Sequence, residues 1–137
     1  MRLVVPLVLG VAAFVSAAAA QSLMSATELM RSARAHLNAP VDLRGAFCYS
    51  ATHGYQCRTT EPLMIVTDAM PAGPARSAMD GDCGEVDGLE QSANCRFTLQ
   101  MVPTEVGVQD GDYMRRGRQV RAKITVVTAT VISARKE

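Results

Sequence analysis

Val41-Asp42-Leu43-Arg44-Gly45-Ala46-Phe47-Cys48-Tyr49-Ser50 is the stretch that decides the fold class. Val41, Leu43, Phe47 and Tyr49 point one way, while Asp42, Arg44, Cys48 and Ser50 point the other, the period of two of a β-strand. Gly45 interrupts the apolar face, as a bulge or a sharp bend in a coiled strand does. Thr52-His53-Gly54-Tyr55 then supplies a turn, and Gln56 to Thr60 makes a returning strand. Cys48 and Cys57 are nearly equidistant from that turn and can face each other across the hairpin. His53 is most simply a turn residue.

Downstream, Glu61-Pro62 breaks the chain before Leu63-Met64-Ile65-Val66, a short continuous apolar run of the kind that forms a buried strand. Asp68 to Asn94 is rich in Pro, Gly and acid, including Asp80, Asp82, Glu85, Asp87 and Glu90. A calcium loop of the EF-hand type fails there, because Glu85 stands at the obligatory Gly position and Gln91 at the final Glu position. The segment reads as a solvated loop with one helical turn, tied by Cys83 to Cys95. Arg96 to Gln100 alternates again, with Phe97, Leu99 and Met101 inward. Pro103, Gly107 and Gly111 predict that this arm frays or turns, and Asp110 to Gly117 reads as a loop. Val120, Ala122, Ile124 and Val126 form an alternating strand. At about 3.3 Å per residue, Val120 to Ala134 is too long for one straight strand, so it bends or is two strands.

Upstream lies one helix. Met24-Ser25-Ala26-Thr27-Glu28-Leu29 carries a cap at Ser25, a reciprocal Glu28 and a Met24–Leu29 staple. Leu29, Ala33 and Leu37 recur every four residues as an apolar stripe, and Asn38-Ala39-Pro40 ends it, predicting about three turns. His36 falls at the stripe edge. Before that, Arg2 precedes an uncharged run from Leu3 to Ala20 ending in alanines, the pattern of a secretory signal peptide cut after Ala20. A retained membrane anchor is the rival reading, weakened by Pro6, Gly10 and the absence of a stop-transfer charge cluster. No Cys sits just after the cut, so nothing marks a lipid anchor. The expected organisation is a signal peptide over 1–20, an N-terminal amphipathic helix over 21–40 packed on the domain, and one β domain over 41–137, placed in the periplasm or secreted.

Composition narrows the function classes. The chain has 14 basic and 13 acidic residues, so losing Arg2 leaves the domain neutral. That balance argues against general nucleic-acid or membrane-surface binding, which rests on a basic excess. The four cysteines, an even count in a small exported chain, read as two disulfides, Cys48–Cys57 and Cys83–Cys95. A metal reading through His53 has the wrong ligand spacing, and an oxidising compartment removes free thiols. No metal or cofactor is expected.

The order of elements is helix, strand with a mid-strand Gly, hairpin, third strand, long insertion, fourth strand, loop and fifth strand. With Val41-Asp42-Leu43-Arg44-Gly45, Tyr55-Gln56-Cys57-Arg58-Thr59, Leu63-Met64-Ile65-Val66 and Val120 to Val126 as its pieces, the chain after Pro40 resembles the OB-fold in topology. The fold class expected is therefore mainly β with an N-terminal helix, a small five-stranded OB-like barrel with two disulfides. The resemblance implies a ligand groove formed by the second and third strands with the loops after the first and fourth.

Catalysis finds little footing. His36 and His53 are the only histidines, and neither stands in a motif that supplies a nucleophile and an orienting group. The one concentration of charge is Tyr113-Met114-Arg115-Arg116-Gly117-Arg118 with Arg121 and Lys123, five positive residues in nine without an acid. If the resemblance holds, Tyr55 and Arg58 lie near Tyr113, Arg115, Arg116 and Arg118, a set suited to anionic or planar groups. The alternative is a solvated loop whose charges offset the acidic insertion. Three functions follow in order: an exported binding module of unidentified ligand, a module that binds or inhibits a protein partner, and an enzyme without a recognisable motif.

Overall fold

The computed structural model describes residues 23–83 and 93–137. In chain order it has β1 (Leu23–Met24), α1 (Ala26–Ser32) running into a 3-10 turn (Ala33–His36), β2 (Val41–Ala51), β3 (Gly54–Arg58), β4 (Leu63–Thr67), α2 (Pro74–Asp80), a second 3-10 turn (Ala93–Cys95), β5 (Arg96–Arg115) and β6 (Arg118–Lys136). The expected signal peptide and the acids Glu85, Asp87 and Glu90 lie outside the described residues.

Gly45 changes which side of β2 faces the core. It adopts φ 71°, and the pairing of β2 with β5 slips there: Leu43 opposes Leu99 and Ala46 opposes Phe97. Two residues of β2 thus face one of β5, a bulge that reverses the alternation beyond it. Val41 and Leu43 before the bulge, and Ala46 and Cys48 after it, share the inner face with Phe97, Leu99 and Met101, all nearly or fully buried. Phe47 and Tyr49 therefore lie on the opposite face of β2 from Val41 and Leu43, against simple alternation, yet they too are buried, so both faces of β2 are covered there. The Gly45 amide donates to the Glu137 carboxylate (3.0 Å), which also accepts from Arg96 (3.1 Å).

Each neighbouring strand then follows from pairing. β2 pairs antiparallel with β3, β3 antiparallel with β4, β4 parallel with β6, β6 antiparallel with β5, and β5 returns to β2. β1, which the sequence reading did not foresee, adds in parallel to β2. Cys48 and Cys57 are cross-strand partners joined by a disulfide, and a second disulfide joins Cys83 to Cys95. Leu63 and Ile65 of β4 are buried, with Met64 and Val66 on the half-exposed side.

The expected loop over 110–117 is strand. β5 runs unbroken past Gly107 and Gly111 to a two-residue turn at Arg116-Gly117, with β6 in register from Arg118. The bends needed by such long strands come from register shifts at Pro103/Glu105 and at Gln100/Met101, where Thr104 and Ile132 are the extra residues. Val127, Ala129 and Val131 alternate into the core, and the extra Thr104 switches the inward set of β5 from Met101 and Pro103 to Val106. Val120, Ala122, Ile124 and Val126 lie on the opposite face.

The first helix is shorter than its periodicity predicts, and the second is longer than the single turn expected in the acidic segment. Ser25 caps α1 with the reciprocal Glu28 bond, a device worth about 1 kcal/mol. Ser32 donates back to the Glu28 carbonyl (2.7 Å), a bond that disfavours a straight continuation, and the chain tightens into the 3-10 turn. Leu29 and Ala33 are buried, but Leu37 leaves the stripe and is exposed. The helical turn expected in the solvated segment is α2: Pro74 begins it, and Ala75 and Met79, one turn apart, are buried, so this part of the segment packs on the domain. Among the described residues no helix is long and apolar enough to cross a membrane.

Candidate functional site

Beyond Thr125, which pairs with Leu63, β6 has only β5 beside it until the turn. Residues 118–124 thus belong to a two-stranded ribbon, roughly 20 Å long at 3.3 Å per residue. Direct cross-strand partners share a face, so the register divides the ribbon in two.

One face holds Asp110 opposite Lys123, Asp112 opposite Arg121 and Met114 opposite Gln119. The first two pairs are ion pairs at 2.6 Å and 4.0 Å, and Gln119 also donates to Asp112 at 3.2 Å. Two of the five positive residues read as a cluster are therefore matched by acids on the same ribbon. The sequence showed no acid between Arg115 and Lys123 because those acids sit on the other strand.

The outward face holds Gly111 opposite Ala122, Tyr113 opposite Val120 and Arg115 opposite Arg118. It is an apolar floor leading to an aromatic ring and then to two guanidinium groups. Gly111 keeps that floor low: a Cβ there would come within 3.0 Å of the Ile124 side chain. The ribbon leans so that Tyr113 and Ile124 share a crease with Arg58, Glu61 and Met64 at the ends of β3 and β4. The crease has a volume of about 20 Å³, room for about one water, so a larger ligand lies over it and not within it.

Arg58 joins the crease to the β2–β3 hairpin. Its guanidinium carbon stands 5.7 Å from the centre of the Tyr49 ring, within cation–π range. The Tyr49 hydroxyl donates to Gln56 Oε1 (2.6 Å), which leaves the Gln56 amide nitrogen as a donor toward an open groove of about 510 Å³ over the hairpin. Phe47, Tyr49, Gln56 and Arg58 share the hairpin face opposite Cys48 and Cys57, which follows from the phase change at Gly45; Phe47 and Tyr49 are buried there, and Gln56 and Arg58 are half-exposed.

The residues expected to act together thus divide. Arg58 and Tyr113 meet at the crease, and Arg115 and Arg118 continue the Tyr113 face toward the turn, with Arg116 in the turn itself. Tyr55 is elsewhere: it pairs with Ser50 and Thr67 on the other side of β3 and lines the hairpin groove. Its hydroxyl donates to Asp80 of α2 (2.7 Å), and that carboxylate, with some burial, raises the phenol above its usual range. Tyr55 is thereby occupied in holding α2 to β3. Tyr49 and Gln56 were not singled out from sequence; only the reversed alternation after Gly45 places them beside Arg58. Among the described residues, no group of three or more His, Cys, Asp or Glu side chains could hold a metal ion.

No protein family's sequence model matches the chain, and no curated protein or solved structure is significantly similar to it.

Proposed function

We propose that the domain is an exported binding module, an OB-like five-stranded barrel that takes a planar anion on the outward face of its β5–β6 ribbon. The OB-like reading is supported by the pairings from β2 through β3, β4, β6 and β5 back to β2, by the parallel β4–β6 contact, and by α2 between β4 and β5. Two disulfides suit an oxidising, extracytoplasmic setting.

One observation carries the ligand class: the register sorts the ribbon's charges by face. Ion pairs occupy one face, while Tyr113, the apolar floor and the Arg115–Arg118 pair occupy the other; Tyr113 and Ile124 meet Arg58 in the crease, where Asp112, already engaged by Arg121 and Gln119, stands at the edge. A flat ring rests on the low floor at Gly111 beside Tyr113, and its acidic group meets Arg58 or the paired arginines through charge-assisted hydrogen bonds. In this reading the module binds and orients its ligand.

Titration with 1-naphthoate, followed by calorimetry and amide NMR, tests this. Saturable binding should move the resonances of Gly111, Tyr113 and Arg58, weaken with added salt, and fall at least tenfold in Tyr113→Ala and in Arg58→Ala. Salt screens exposed charges over about 10 Å at 0.1 M. Binding that is untouched by both substitutions, or absent up to the solubility of the probe, overturns the reading.

A further inference from the structure

The turn that closes the ribbon is built against its own local preferences. Arg116 and Gly117 both have positive φ, 50° and 76°, the two-residue pattern for which Asn-Gly is the favoured pair. A long side chain such as Arg adopts that backbone under strain. On either side of it, Arg115 and Arg118 are direct cross-strand partners, where like charges repel. Asp110 and Asp112, the nearest acids along the ribbon, are engaged by Lys123 and Arg121. All three tip arginines are exposed, and among the described residues none makes an ion pair. A strained turn and a repelling pair, with no burial gained, mark a position kept for something other than folding.

We infer that Arg115, Arg116 and Arg118 form a site for a tetrahedral oxyanion of the phosphate class. The inference deepens the proposed function, and rests on it for the ribbon's outward face being the ligand face. A single carboxylate offers two oxygens and one charge, which one guanidinium satisfies in a bidentate fork. Three guanidinium groups around a two-residue turn call for more oxygens and more charge. A phosphate group brings three free oxygens and close to two negative charges near neutral pH. It bridges Arg115 and Arg118 across the ribbon, cancelling their repulsion, and Arg116 closes on it from the turn.

The test uses the oxidised protein with inorganic pyrophosphate as probe and malonate at equal ionic strength as the carboxylate control. Pyrophosphate should raise the melting temperature and bind saturably, with malonate at least tenfold weaker. In the double variant Arg116→Asn/Arg118→Thr, the protein without ligand should melt at the same temperature or higher, because the turn becomes Asn-Gly and the repulsion goes. That variant should lose at least tenfold in pyrophosphate affinity. Arg58→Ala should leave the pyrophosphate response intact while weakening 1-naphthoate, so a failure of the tip site and a failure of the groove reading are told apart. Co-sedimentation with phosphatidylglycerol vesicles, but not phosphatidylcholine vesicles, assigns the phosphate to a lipid headgroup; a pyrophosphate response without sedimentation assigns it to a soluble ligand. Equal responses to pyrophosphate and malonate, or full pyrophosphate affinity in the double variant, overturn the inference.

Discussion

β5 and β6 stay antiparallel partners along their whole length, through two bulges, but the two ends of the pair are stabilised differently. At the base, Phe97, Leu99 and Met101 of β5 and Val127, Ala129 and Val131 of β6 are buried against β2 and β4. At the tip each strand is paired only with the other, and most side chains there are polar, charged or small. Burial holds the base, where each large apolar side chain contributes on the order of 2 kcal/mol. Cross-strand pairs hold the tip, each worth at most about 1 kcal/mol. Side chains at the tip are therefore under little constraint from folding, and that is where the arginines stand.

The comparison breaks first at the base if it is wrong. Leu99 is fully buried, so Leu99→Ala should cost about 2–5 kcal/mol, read from denaturant unfolding. A loss below about 1 kcal/mol would mean that the base is not held by burial. Gly45→Ala is the next largest. An added Cβ meets nothing within 4 Å, so the cost is that of the positive φ alone, about 1–2 kcal/mol. If the variant matches the parent protein in stability, the bulge conformation is not required. At the tip, Asp110→Asn removes the partner of Lys123 and should cost no more than about 1 kcal/mol, as exposed ion pairs do. A larger loss would show that the tip carries structural weight.

The smallest effect lies at Tyr55 and appears only in alkali. Its hydrogen bond to Asp80 raises the folded-state pKa above the unfolded value near 10. The contribution is therefore fully present below pH 10 and is lost as pH rises through the folded pKa. Tyr55→Phe should flatten the stability-versus-pH curve in that window, and unchanged curvature would assign the alkaline loss to other groups.

How far the sequence could be read depended on the distance over which each signal acts. The α1 cap, the β2–β3 hairpin and the apolar run of β4 were legible because their signals are local. The ribbon was not, because Gly107 and Gly111 signal a turn in isolation and become tolerable only when β6 lies alongside. Arg58 and Tyr113 were legible as a pair only through a topological resemblance. Tyr49 and Gln56 were hidden by the bulge, since one inserted residue moves every later side chain to the opposite face. Tyr55 looked like a ligand residue because nothing in the sequence announces that Asp80, on a helix 25 positions away, will take its hydroxyl.

The Cys48–Cys57 disulfide also divides the register problem of β2 into two separate ones. The two cysteines are direct partners in an unshifted hairpin, and a slip of one position would carry Cys48 to the opposite face of the sheet. Once closed, the bond forbids that slip and fixes β2 against β3. The bulge at Gly45 lies outside the closed loop, where β2 meets β5. The oxidised hairpin thus enters the sheet as a finished piece, with only its alignment to β5 left to be chosen.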